Sequence, residues 1–157
     1  MIRLYFAYGS NMNPARIAAR GLRVLDAMGA RLAGMQLVFD KAAQHRSGTA
    51  HANLAHAPSV SAVTRDVEGV LYELAGPDDI RSMDAFEGVP VSYSRDVVVV
   101  DVAGTRRPAW TYFANPAVRR DGLRPAREYL EHLLKGRPYL SEAYFAWLSR
   151  TRCSDEP

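Results

Sequence analysis

The stretch YFAYGSNMNPARIAARG, residues 5–21, restricts the fold more than any other part of the chain, because an apolar segment runs directly into a polar break and then a helix start. Leu4, Tyr5, Phe6 and Tyr8 favour an extended, half-buried strand. Gly9, Ser10, Asn11 and Asn13 end it. Asn13 suits the N-cap, Pro14 the first helical position where its missing N–H costs nothing, and Gly21 the stop after Ile17 to Arg20. The segment therefore reads as a strand, a tight polar loop and a short helix.

Further along, Val24 to Asp40 reads as a mobile connection followed by a strand around Leu37, Val38 and Phe39. A loop rich in Ser, Gly and His follows, after which Ala50, Ala52, Leu54 and Ala55 permit a short strand closed by Pro58. Val67 to Leu74 has the continuous apolar character of a strand buried on both faces. AGPDDIRSMDAFEGV predicts a short helix, with Pro77 near its start, Asp78 and Asp79 in its first turn and Gly88 just beyond its end. Arg95–Val102 and Ala109–Phe113, joined by a turn at Gly104, predict a β-hairpin. Pro125 opens a helix carrying Tyr129, Leu130, Leu133 and Leu134 on one side and ending at Gly136. A last helix runs from Glu142 to Arg150, capped by Ser141. Strands interleaved with short helices, some of them paired as a hairpin, predict a mixed α/β (α+β) fold whose sheet is not purely parallel. With 157 residues and 48% hydrophobic content, one domain over residues 1–150 with a polar C-terminal tail over 151–157 is expected.

The net charge is only +3, spread over scattered arginines. Arg106–Arg107 and Arg119–Arg120 read as solvated turns, so no nucleic acid is expected as a partner. No apolar run approaches the roughly 20 residues of a membrane span, and no leader pattern opens the chain, so a cytoplasmic protein that does not engage membranes is expected. Cys153 has no intrachain partner and no evident activating environment. His45, His51 and His56 lack metal-site spacing and acidic or Cys companions, so no metal is expected. Ser10 has no nucleophile elbow around it, and no Walker A loop or dinucleotide fingerprint is present.

Glu87 stands out. It lies seven positions after Ile80 and four after Met83, on the helix face that must pack against a sheet. Burial and the negative end of the helix dipole would both raise its pKa, poising it to accept and return a proton. The alternative is a glutamate turned outward at a frayed helix end. The Gly9-Ser10-Asn11 loop is likewise open to two readings, an anion or oxyanion site built from backbone N–H groups, or a plain strand-to-helix turn. Tyr129, on the inner side of its helix, needs a partner for its hydroxyl if buried.

Taken in order, YFAYGSNMN, GVLYEL, MDAFEGV, the hairpin from YSRDVVVV to TYF, and PAREYLEHLLKG resemble the γ-glutamylcyclotransferase family, including its avirulence-induced-gene-like branch, over nearly the whole chain. The resemblance implies a small barrel-like mixed sheet flanked by short helices, with a pocket for a γ-glutamyl group that is cyclised to 5-oxoproline as the attached amine leaves. It implies Glu87 as general acid/base, and Tyr8, Gly9, Ser10, Asn11 and Tyr129 as the substrate-binding residues. The partner it implies is a small-molecule γ-glutamyl substrate, with no cofactor, and it leaves a homodimer open. The segment QHRSGTAHANLAHAP departs from the family, standing where a more ordered strand-forming region is expected, so the leaving amine stays undefined. A non-catalytic sensor of the same fold for a glutamyl-like anion is the alternative.

Overall fold

The computed structural model describes residues 1–58 and 65–156. β1 (Leu4–Ala7) is short and buried along its whole length. It pairs antiparallel with β5 (Val67–Leu74) and, at Tyr5 opposite Trp110, parallel with β7 (Thr105–Ala114). β5 pairs on its other edge with β2 (Val24–Leu32), β2 with β6 (Tyr93–Val102), and β6 with β7, closing a five-stranded barrel. Closure leaves no free edge in this sheet. Beside it, β3 (Met35–Ala42) and β4 (Ala50–His56) form a separate antiparallel pair.

Among the described residues four α-helices flank the sheets: α1 (Pro14–Ala19), α2 (Ile80–Phe86), α3 (Arg127–Leu134) and α4 (Glu142–Ser149). The expected cap holds at α1, where the Asn13 side chain accepts from Ala15 N, and at α4, where Ser141 Oγ accepts from Tyr144 N. The expected mixed fold is the one observed, a barrel with short flanking helices. β5 explains its continuous apolar sequence. Val70, Tyr72 and Leu74 join the core under α2 and α3, whereas Val67 and Leu71 join a second core with Phe6, Leu54 and Val100.

Three sequence expectations are corrected. Val24 to Leu32 is no mobile connection but a full strand, fixed by its register with β5 from Asp26 opposite Glu73 to Leu32 opposite Val67. The segment expected to be less ordered than in the family contains a full strand: the short strand that Ala50, Ala52, Leu54 and Ala55 permit is β4, Ala50–His56, held opposite β3 from Met35–His56 to Ala42–Ala50. Helix α2 starts at Ile80 and not near Pro77, because Asp79 closes a turn on Gly76 (Asp79 Oδ2 accepts from Gly76 N, 2.8 Å) and its Oδ1 accepts from Arg23. After α4 the chain returns to the domain: Ser154 N donates to Pro125 O, and Cys153 is buried in the main core. Pro157, the last residue of the expected tail, lies outside the described residues.

Candidate active site

The loop after β1 folds as a 3-10 turn over Ser10–Met12, with Met12 N donating to Gly9 O at 2.9 Å. Gly9 sits where a Cβ would meet Ala52 Cβ at 3.2 Å and the Tyr129 hydroxyl at 3.3 Å, so a side chain here would crowd both of these groups. Asn11 is buried, and its side chain points into the protein. Its Nδ2 donates to Glu87 Oε1 at 2.9 Å and to the Tyr5 hydroxyl at 2.8 Å, while its Oδ1 accepts from Arg20 Nη1 at 2.9 Å. Tyr72 pins the same residue by donating to Asn11 O at 2.7 Å.

Glu87 is placed by the end of α2. Its own N–H still donates to Met83 O, and the chain then turns through Gly88 at φ +63°, with Val89 N closing back on Asp84 O at 3.0 Å. This left-handed terminus aims the carboxyl at the loop. A Cβ on Gly88 would be strained in that conformation and would crowd Ser92 at 3.2 Å. Gly88→Ala is therefore expected to cost about 1.5 kcal/mol, lowering Tm by about 3–6 °C in a thermal melt.

The Glu87 side chain retains 16% of its exposure and meets Arg20 Nη1 at 3.2 Å. Both the Asn11 and the Arg20 contacts fall on Oε1. Burial pushes the carboxyl above the ordinary glutamate range, and Arg20, Asn11 and Arg16 pull it back only in part. Because Arg20 opposes the rise, Arg20→Gln is expected to raise the pKa of Glu87 further. The acid limb of any activity that needs the ionised carboxylate then moves to higher pH, as a pH–rate profile would record; an unmoved limb would separate the two residues.

Two spaces share this carboxyl in their walls. An inner cleft of about 30 Å³ is lined by Tyr5, Tyr8, Gly9, Asn11, Ala52 and Tyr112 together with Ser10, Glu87, Tyr93 and Tyr129. The last four also line an outer cavity of about 470 Å³. All six residues singled out from the sequence thus gather around one point. Their side chains are not equivalent. The Tyr8 hydroxyl is committed to Tyr112 O at 2.6 Å, leaving its ring to line the cleft. The Tyr129 hydroxyl accepts from Ala52 N at 2.9 Å and keeps its own proton available to donate; burial pushes its pKa up to about 12, so that proton stays on at neutral pH.

Sequence reasoning missed Arg16, Arg20, Lys41, His51 and Tyr93. Arg16 and Arg20 carried a signal: at i and i+4 at the end of the loop–helix unit, they share one helix face. Lys41 carried none, since it is turned inward by the β-bulge between Phe39 and Lys41. His51 stacks on Tyr129 with ring centroids 4.5 Å apart, and burial together with Lys41, Arg16 and Arg20 drives its pKa to about 4, so it is neutral at pH 7. The arginine pairs do not make a common patch: Arg119 is tied to Asp40 at 2.8 Å, and Arg106 and Arg107 are exposed on β7 and not in the turn. No group of three or more metal-ligating side chains occurs among the described residues.

The family profile described as Gamma-glutamyl cyclotransferase, AIG2-like matches residues 5–132. The chain belongs to this family. No curated protein sequence matches it. Among solved structures, one titled Gamma-glutamyl cyclotransferase superposes with a TM-score of 0.82 at 23% identity, covering 98% of this chain and 89% of that one. An uncharacterized protein from Homo sapiens gives 0.81 at 24% identity, covering 98% and 90%. A yeast γ-glutamyl cyclotransferase titled as specific to glutathione gives 0.61 at 13% identity, covering 92% and 93%. At these identities the likeness shows the AIG2-like fold alone. No helix among the described residues is long and apolar enough to cross a membrane.

Proposed function

We propose that this family member cyclises γ-glutamyl amides to 5-oxoproline, releasing the attached amine, with Glu87 as the general acid/base. The observation that carries this is the Glu87 carboxyl, screened from water, held 2.9 Å from the Asn11 amide of the β1 loop and facing a cavity of ligand size. In the reaction the substrate's α-amino nitrogen attacks its own γ-carbonyl carbon. A new C–N bond forms, the original amide C–N bond breaks, and the ring closes without a covalent enzyme intermediate. Tethering supplies the nucleophile at high effective concentration, so the protein gains most by holding the ring-closing conformation.

Once the α-ammonium group has given its first proton to solvent, one further proton must move within the site. Glu87 takes it from the attacking nitrogen and delivers it to the departing nitrogen, which is a poor leaving group while unprotonated. Asn11 and Arg20 hold Oε1, which leaves Oε2 as the oxygen that exchanges protons. The loop N–H groups after Tyr8 and the Tyr129 hydroxyl are the donors within reach of the glutamyl half, on its α-carboxylate or on the oxygen that gains charge in ring closure. Nothing in this sequence of steps calls on a metal or an organic cofactor.

The test is incubation of the purified protein with a panel of γ-glutamyl amino acids and γ-glutamyl amines, with 5-oxoproline as the measured product. Its formation from at least one member is expected. Binding of panel members without consumption of any would instead identify a glutamyl-sensing module.

A further inference from the structure

The outer cavity is lined by four basic side chains, Arg16, Arg20, Lys41 and Arg46, against two carboxylates, Glu87 and the exposed Glu128. Two of them are already neutralised: Arg20 by Glu87 at 3.2 Å and Arg46 by Asp155 at 3.6 Å. The other two have no carboxylate within salt-bridge distance among the described residues. Lys41 retains only 5% of its exposure, and its ammonium lies 5.7 Å from the Tyr93 ring centre. Its sequence neighbour Asp40 is no partner for it, being taken by Arg119 and by Asn53 Nδ2. Arg16 carries a buried Nε with no hydrogen-bond acceptor. A buried cation without a counter-charge, and a buried guanidinium N–H without an acceptor, are both costly. Burial lowers the pKa of both groups; Arg16 and Lys41 both lower the pKa of His51, and Arg16 lowers that of His132. The cavity is thus prepared for an anion the chain does not itself supply.

The location says which half of the substrate carries that anion. Arg16 and Lys41 line the outer cavity and not the inner cleft, whereas Glu87, Ser10, Tyr93 and Tyr129 line both. The reacting centre therefore lies at the junction, with the glutamyl half towards the β1 loop and the two cations on the outward side. Resting on the cyclotransferase reading above, we propose that Arg16 and Lys41 form a carboxylate-binding subsite for the leaving half of the substrate. The released amine then belongs to an amino acid or peptide bearing a carboxylate, and polycationic amines are disfavoured by like-charge repulsion at the same two groups. Arg16 offers a planar fork and Lys41 a compact point charge, a pairing suited to one carboxylate.

The experiment compares kcat/KM of the full chain for matched pairs, a γ-glutamyl amino acid and its C-terminal carboxamide, in which the glutamyl half is unchanged. The wild-type protein is expected to prefer the acid by about 10- to 100-fold, the range for one hydrogen-bonded charge. In Arg16→Gln and in Lys41→Met, made separately so that either suffices if the other does not fold, the acid-to-amide ratio is expected to fall towards one. A wild-type ratio near one would overturn the subsite. So would an equal loss on both members of the pair, which would put the two cations on the glutamyl carboxylate. Absence of 5-oxoproline from every compound would be a separate result, defeating the cyclotransferase reading and the subsite with it.

Discussion

Glu87→Gln is expected to lower the rate of 5-oxoproline formation by about 10³-fold, within the 10²–10⁴ range that positioned general acid–base catalysis supplies. The amide keeps the size of the carboxyl and an oxygen that can still accept from Asn11 and Arg20, so the local structure persists. What is lost is the ability to take up and return a proton. The replacement also removes a charge whose burial is unfavourable. The sign follows from the raised pKa: a carboxyl that binds its proton more tightly in the folded state contributes stability that is full below its unfolded pKa and lost as pH rises through its folded one. At neutral pH Glu87 is therefore no large source of stability. The variant's Tm is expected to stay within about 4 °C of wild type, a change of roughly 1 kcal/mol. A 10³-fold loss accompanied by a collapsed melt would point to unfolding, and unchanged turnover would remove Glu87 from the chemistry.

Asn11→Ala is expected to act on both stability and rate. The side chain is buried and joins three partners, Tyr5, Glu87 and Arg20, of which Glu87 and Arg20 also meet each other. Its loss leaves the Tyr5 hydroxyl without its hydrogen-bond partner and loosens the hold on Glu87 and Arg20, a cost of about 2 kcal/mol, or about 4–8 °C in Tm. It also removes a hydrogen bond that favours the ionised form of Glu87, so the acid limb of the pH–rate profile moves upward. That shift distinguishes a positioning role from a merely structural one. A variant that only loosened the fold would lose rate evenly across pH.

The elements that could be read from the sequence are those whose local pattern agrees with their tertiary role. Val67 to Leu74 is apolar along its length because both of its faces are covered, and its bounds match β5. Asn13-Pro14 and Ser141 cap their helices through short-range hydrogen bonds that need no partner from elsewhere. β2 could not be read this way. Its sequence VLDAMGARL lacks the β-branched and alternating character of a strand, and its register is imposed by β5; Gly29 within it is where the backbone of Tyr139 comes close. The site follows the same division. Glu87 and the YGSN loop lie in short recognisable stretches, but the inward aim of Lys41 comes from a bulge, and the orphan state of Arg16 from which acids the fold fails to bring near it. Pairing and its absence are properties of the assembled chain.

The claim on which the rest depends is that the Glu87 carboxyl holds its proton more tightly than a solvated glutamate while standing at the mouth of the inner cleft. The most direct measurement is a titration of carboxyl carbon chemical shifts by NMR in the ligand-free protein, with Glu87→Gln used to assign the resonance. A single titrating signal, absent from the variant, with its midpoint clearly above the usual value of about 4.3 is the expected result. A midpoint at or below that value would mean a carboxyl that is solvated or dominated by Arg20, and would contradict the proton-carrying role.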